Sequence, residues 1–461
     1  MTQVRSGSEK GIAVRIESMA PDGRGIAHDC GRKVLVRGAW PGDVVEARVY
    51  KRGAGKHEAY ALTVVEEGAP RRPPPCAHVG ECGGCRWQQW PIEVQRAMKR
   101  AIVERPLADA LGGSAPEVLA VRDAGPEFGY RNKMEFSFGR NDAGALTLGL
   151  HQASSFHMKF DVERCWIAPP EASVVVAWVR DWAKRHGLRP YDSRTHDGLL
   201  RHLVVRIAAA TGEIMVNLVA TQDDFQGLGD LATALPQAIP HVKSLLASVN
   251  TRIGDTAIPE RTQVLAGSQT IAERIGPFEV EVSARSFLQT NTQGTKVLYE
   301  MVHERAALTG SERVLDLYSG IGLIGLWLAA EAREVVGVEQ APEAVADAER
   351  LRDRVGYDHV RFVVADAGVL LPEWVREGRS FDVAIVDPPR AGLHPKALAA
   401  LTMLAPPRIV YVSCNASSLA RDIKELVATG YAAGPVAPLD MFPQTAHVES
   451  VVRLDRARGN A

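Results

Sequence analysis

The stretch Val314-Leu315-Asp316-Leu317-Tyr318-Ser319-Gly320-Ile321-Gly322-Leu323-Ile324-Gly325 decides the fold. An apolar run containing one acid turns through glycines and opens onto a second apolar run. That order reads as a strand, a tight loop and a helix. Glycines let backbone approach a ligand where a Cβ would collide. The spacing Gly320-x-Gly322-x-x-Gly325 also satisfies the dinucleotide fingerprint, which by itself is a weak signal.

Downstream the same rhythm continues. Strand candidates at 313–317, 334–338, 360–364, 383–386 and 409–412 alternate with helical stretches. A βαβ rhythm of this kind predicts a parallel, doubly wound sheet. Upstream, Leu298, Met301, Val302 and Leu308 fall on one face of a predicted helix. Acids stand at three successive strand ends. Asp316 is placed for a cationic amino-acid moiety, in a loop that need not cradle a pyrophosphate. Glu339, 19 residues after Gly320, can accept from both ribose hydroxyls. Asp366 can accept from an adenine amino group. Asp316 tilts the choice towards S-adenosyl-L-methionine (SAM), whereas Glu339 supports an adenosine-containing cofactor of either class.

The next two strand ends carry reactive groups. Asp387-Pro388-Pro389-Arg390 follows the fourth strand, and its prolines stiffen the loop and remove two backbone donors. The fifth strand delivers Cys414 and Asn415 into the same cleft. A thiolate there can attack carbon 6 of a uracil ring, making carbon 5 nucleophilic enough to take a methyl group. The proton on carbon 5 must then leave, which needs a carboxylate base. Glu449 supplies one; His447 is a rival base, with a structural hydrogen bond as its simpler role.

The 461 residues exceed one compact core, so two or three domains are expected. No apolar run is long enough for a membrane span, and Met1 to Gly11 lacks the apolar core of a secretory signal. A cytoplasmic protein is expected. Net charge is only -1, but residues 1–100 carry a surplus of six positive charges. A basic N-terminal module on an acidic body suits a polyanion partner. Residues 12–67 read as short strands and turns, an OB-like barrel with Arg24, Arg32, Lys33, Arg37, Lys51, Arg52 and Lys56 spread through it. The proline-rich stretch 68–75 is a stiff linker, and helical character follows from Trp87 to Leu111. Between them Cys76, Cys82 and Cys85 cluster, with Cys165 far along the chain. Four thiolates suit zinc or a [4Fe-4S] cluster, and spacing does not choose between them. Cys30 has no partner and reads as structural.

Three segments are highly specific: Asp387-Pro388-Pro389-Arg390-Ala391-Gly392, Tyr411-Val412-Ser413-Cys414-Asn415, and Phe442-Pro443-Gln444-Thr445-x-His447-x-Glu449. In them, and over nearly its whole length, the chain resembles the SAM-dependent RNA (uracil-5-)-methyltransferases that act on bacterial rRNA and tRNA. The resemblance implies Cys414 as nucleophile and Glu449 as base. It implies SAM contacts for Gln289, Tyr318, Glu339, Asp366 and Asp387. It also implies a TRAM-type RNA-binding barrel at 1–67, a central domain at 68–285 with a [4Fe-4S] cluster on the four cysteines, and a Rossmann-like catalytic domain at 286–461. Members with this cysteine pattern point to 23S rRNA, with tRNA as the alternative. No protein partner is implied. Leu323 and Ser418 depart from residues common in the family; the first leaves only backbone for SAM, the second keeps a hydroxyl.

Other functions fit less of the chain. A nicotinamide-dependent iron–sulfur oxidoreductase leaves Cys414, Glu449 and the barrel unexplained. A catalytically dead RNA binder leaves the Cys414–Glu449 pair unexplained. A cytosine-5 methyltransferase usually carries a second cleft cysteine, and none occurs after Cys165 except Cys414.

Overall fold

The structure, a computed structural model, describes residues 11–153 and 155–457. The signal-free N-terminus expected from sequence falls, for residues 1–10, outside them. Among the described residues no helix is long and apolar enough to cross a membrane.

The largest sheet runs, in spatial order, Val360–Val364, Glu334–Glu339, Arg313–Leu317, Val383–Val386, Arg408–Ser413, Glu449–Arg456, Ala437–Asp440 and Arg122–Asp123. The first five strands are parallel, and Glu449–Arg456 runs antiparallel to Arg408–Ser413. Strand order reverses between Arg313–Leu317 and Val383–Val386. Crevices for ligands form above such a switch point. The central strands are buried on both faces, which explains their unbroken Val, Ile and Leu runs. One face is covered by helices Thr292–Ala306, Leu323–Ala329 and Pro342–Val355. The other is covered by Ala367–Arg376, Pro395–Leu404 and Ala416–Ala428, together with Ile92–Leu111 from far upstream. That upstream helix and strand Arg122–Asp123 lie within the segment read from sequence as the central domain, yet they pack into the catalytic layers.

Two helices differ from their sequence expectations. The upstream helix starts at Ile92, not Trp87: Trp87 and Trp90 pack around Trp40, with ring centroids 5.1 and 4.5 Å away, and Pro91 disfavours helix at the residue before it. Leu308 lies beyond helix Thr292–Ala306, which Ala307 ends in a left-handed conformation (φ 44°).

Residues 12–66 form a six-stranded sheet. Strands Ile12–Arg15 and Ser18–Met19 lie at its opposite edges and are two halves of one bent segment, so the edges meet around a small apolar core. A seven-stranded sheet with helices Pro170–Arg185 and Leu228–Ala238 fills the middle of the chain. Cys30 sits exposed in a turn with φ 46°, so a buried structural role is ruled out.

Candidate active site

The glycine loop is shaped by what lies beneath it. Gly322 has φ 77° and starts helix Leu323–Ala329; a Cβ there would collide with the ring of Phe362. Asp316 is fully buried under the loop, where one carboxylate oxygen accepts from Gly325 N–H at 2.9 Å and the other has no partner. It therefore shapes the loop from below instead of reaching a ligand directly. Glu339 accepts from Gly320 N–H (3.1 Å) and Ala341 N–H (2.9 Å), which locks its orientation at the strand tip. Tyr318, at φ 63°, is half-buried beside Asp366. Asp366 caps helix Ala367–Arg376 by accepting from Gly368 N–H at 2.7 Å, a role the sequence reading missed although Asp is a favoured cap. Gln289 precedes Asn291, the N-cap of helix Thr292–Ala306, and its backbone carbonyl accepts from Asn132 at 3.1 Å. Leu323 is buried, as its apolar side chain requires.

Cys414 and Glu449 come together because their strands pair: Ser413 is registered with Ser450. Cys414 is half-buried. Burial pushes its thiol up to about 11, the charges of Glu449 and Asp387 push the same way, and Arg390 pulls back. Glu449 is almost fully buried and accepts no hydrogen bond among the described residues. Burial, then Asp387, pushes its carboxyl up to about 8. Burial also pushes Asp387 and Asp316 up to about 7 each. The Asp-Pro-Pro-Arg loop is tied to the helix after Cys414. Asn415 donates to Arg390 carbonyl (2.9 Å), Arg421 donates to Ala391 carbonyl (2.9 Å), and buried Asp422 accepts from Leu393 N–H (2.8 Å) and Tyr411 OH (2.6 Å). The ring of His447 makes no hydrogen bond among the described residues; it packs edge-on against Phe442. Its expected structural hydrogen bond is made instead by its backbone N–H, to Thr445.

The result is a group of three buried carboxyls, none of them paired with a cation among the described residues, an environment that favours a cationic ligand. Each carboxyl has a folded value above its unfolded one, so the folded state holds extra protons. Their stabilising contribution is full below about pH 4 and is lost as pH rises through about 7 to 8. Ligand-free protein is accordingly expected to melt at lower temperature as pH rises from about 5 to about 8.5. A cationic ligand favours the ionised carboxyls, so SAM should bind more tightly at the upper end. Differential scanning fluorimetry with and without SAM tests both; a ligand effect that shrinks as pH rises would refute the electrostatic account.

Cys76, Cys82, Cys85 and Cys165 line one small pocket walled by Leu150, Phe160, Val162 and Trp166. Among the described residues no three His, Cys, Asp or Glu side chains are grouped as for a single metal ion.

This sheet order, with its antiparallel sixth strand, its glycine loop over a buried acid and an acid at the tip of the next strand, is that of a SAM-dependent methyltransferase. Comparisons with known proteins narrow the class. The family model for tRNA (uracil-5-)-methyltransferases matches residues 232–457. An otherwise uncharacterised RNA methyltransferase of Halalkalibacterium halodurans is 38% identical over 96% of both chains, and one of Bacillus cereus is 36% identical over 96% of both. The crystal structure of the Pyrococcus abyssi tRNA (uracil-54, C5)-methyltransferase with S-adenosyl-L-homocysteine superposes with a TM-score of 0.76 at 27% identity, covering 96% of this chain and all of that one. The chain belongs to the SAM-dependent RNA (uracil-5-)-methyltransferase family. The nicotinamide reading of the glycine fingerprint is thereby overturned: the loop is built over a buried carboxylate, in a fold shared with a methyltransferase that holds a SAM product.

Proposed function

We propose that the protein transfers the methyl group of SAM to carbon 5 of a uridine in folded RNA, with Cys414 as nucleophile and Glu449 as base. The observation that carries this reading is the convergence of one thiol and one carboxyl without a hydrogen bond among the described residues, from the paired strands Arg408–Ser413 and Glu449–Arg456. Gln289, Tyr318, Glu339, Asp366 and Asp387 are the SAM contacts in this reading. Bound SAM supplies a methyl group on a positively charged sulfur. Cys414, as the thiolate, bonds through sulfur to carbon 6, the carbon 5–carbon 6 π pair shifts to make carbon 5 the nucleophile, and carbon 5 takes the methyl group, leaving S-adenosyl-L-homocysteine. Glu449 then collects the carbon 5 proton, the double bond re-forms, and the thiolate leaves. The sealed carboxyls suit the last step, since a base of raised pKa holds the proton it receives.

The N-terminal barrel is the RNA-binding module in this reading. Arg24 is committed to Asp22 and Glu58, and Arg37 to the Ala153 carbonyl. Arg32, Lys33, Arg52 and Lys56 are exposed and make no ion pair among the described residues, so they are the phosphate-contacting candidates. The four cysteines, which share one apolar pocket, hold a [4Fe-4S] cluster in this reading, as the resemblance of the cysteine pattern implies, with zinc as the alternative. Such a cluster would tie residues 76–85 to Cys165. Iron and sulfide analysis of anaerobically purified protein tests it: about four of each per chain is expected, and stoichiometric zinc would refute it.

The cysteine pattern supports 23S rRNA as substrate, and the likeness to the Pyrococcus abyssi enzyme favours tRNA as the second reading. Incubating the protein with labelled SAM and transcripts of each RNA, then mapping 5-methyluridine, decides between them. No 5-methyluridine in either would sink the proposal.

A further inference from the structure

Strand Glu449–Arg456 is reached through a turn, residues 441–448, that leaves strand Ala437–Asp440 and returns antiparallel to it, pairing Leu439 with Glu449. Gln444 lies inside this turn. It is fully buried and has a left-handed backbone (φ 70°), which a residue with a Cβ rarely adopts. Its backbone N–H donates to Gln95 Oε1 (2.9 Å), and its carbonyl accepts from Arg86 N–H and Trp87 N–H (3.1 Å each). Its side-chain Oε1 accepts from Gln95 Nε2 (2.9 Å), and its Nε2 donates to Glu127 Oε2 (3.0 Å).

These partners come from around the cysteine pocket. Arg86 and Trp87 directly follow Cys85. Tyr130, three residues after Glu127, donates its hydroxyl to the neighbouring Pro443 carbonyl (3.0 Å). The backbone on either side of Tyr130 is bonded to the residues after Cys165: Gly129 N–H to Trp166 carbonyl (2.9 Å) and Arg131 N–H to Ile167 carbonyl (2.8 Å). Two walls of the cysteine pocket thus meet on one turn, five residues before Glu449.

We propose that Gln444 is a positioning residue for the base, and that through it the cysteine pocket holds Glu449 in register with the substrate. This rests on the assignment of Glu449 as base. A strained backbone persists only where its surroundings over-determine it; without the Gln444 side chain, two of its five hydrogen bonds are lost and the turn can relax. Cys414 is held separately, by its own strand and by helix Ala416–Ala428. Loss of Gln444 therefore divides the reaction. Attack and methyl transfer continue, and elimination slows. In elimination the carbon 5 proton passes to the Glu449 carboxylate, its bonding pair becomes the carbon 5–carbon 6 double bond, and the carbon 6–sulfur bond breaks with its pair leaving on Cys414 sulfur.

The test compares wild type, Glu449→Gln, Gln444→Ala and Glu127→Ala on unmodified target RNA with methyl-labelled SAM, quenched in denaturant. Labelled RNA still linked to protein measures stalled elimination, which a merely destabilised enzyme does not accumulate. Gln444→Ala is expected to accumulate linked, labelled RNA as Glu449→Gln does, with turnover about 10²-fold down. Glu127→Ala should show a weaker effect in the same direction. If Gln444→Ala does not fold, the half-buried Glu127 substitution is judged by the same criterion. Release of product at the wild-type rate, or loss of the linked species while Glu449→Gln still forms it, overturns the inference. If Glu449→Gln itself accumulates nothing, the assignment of the base fails instead.

Discussion

Cys414→Ala should lose methyl transfer by about 10⁴-fold or more while keeping its affinity for SAM and nearly all its thermal stability. Carbon 5 of uracil is a poor nucleophile until carbon 6 carries a sulfur, so no partial route remains once the thiol is gone. No second thiol can substitute: the other five cysteines lie in the barrel turn and in the separate cysteine pocket. Stability should hold because Cys414 is half-buried and its side chain accepts no hydrogen bond from another residue. Since burial and two nearby acids hold the thiol at about 11, the wild-type kcat/KM should climb with pH across the neutral range. RNA carrying 5-fluorouridine provides the direct check. Fluorine cannot leave as a proton, so wild type should be trapped as a denaturant-stable adduct and the variant should not. Methylation by Cys414→Ala at a rate near wild type would refute covalent catalysis.

Glu449→Gln should cut turnover by about 10²- to 10⁴-fold, and the enzyme should stall after methyl transfer. The amide keeps the shape of the carboxyl but cannot collect the proton. The same substitution removes a buried group whose ionisation is unfavourable in the folded state. The variant should therefore melt above wild type near pH 8.5 and close to it near pH 5, because the destabilisation by the raised carboxyl builds up from its unfolded value of about 4.5 and is complete near pH 8. A pH-independent difference in melting temperature would count against the buried-acid account, whatever happened to the kinetics.

Much of the catalytic layer could be read from the chain, because its strands are buried on both faces and announce themselves as apolar runs. Strands 313–317, 360–364 and 383–386 stand where the runs place them. The proposed roles of Cys414 and Glu449 came from what a uracil ring requires; the structure adds that their strands pair. What stayed hidden depends on tertiary contact. Strand Arg122–Asp123 is only two residues long and is defined by the partner it finds, Ala437–Asp440. Helix Ile92–Leu111 gave no hint that it would bury Lys99, whose ammonium bonds Asp440 and donates to the Phe442 carbonyl (2.9 Å). A buried lysine reads as solvent-facing until its partner, 341 residues away, is known. The capping of Asp366 and the burial of Asp316 were misplaced for the same reason. An acid in sequence shows its charge, but not which way its carboxylate points.

The same long reach governs how the enzyme comes into being. Gln95 and Gln444 are bonded across 349 residues, and strand Glu449–Arg456 must be inserted between two strands made before it. Closing so long a loop is slow, and nothing rewards it until the final strand is available. Helix Ile92–Leu111 therefore emerges from the ribosome with an apolar flank whose eventual cover has not been synthesised. The reactive pair therefore forms only once strand Glu449–Arg456 has docked beside Arg408–Ser413.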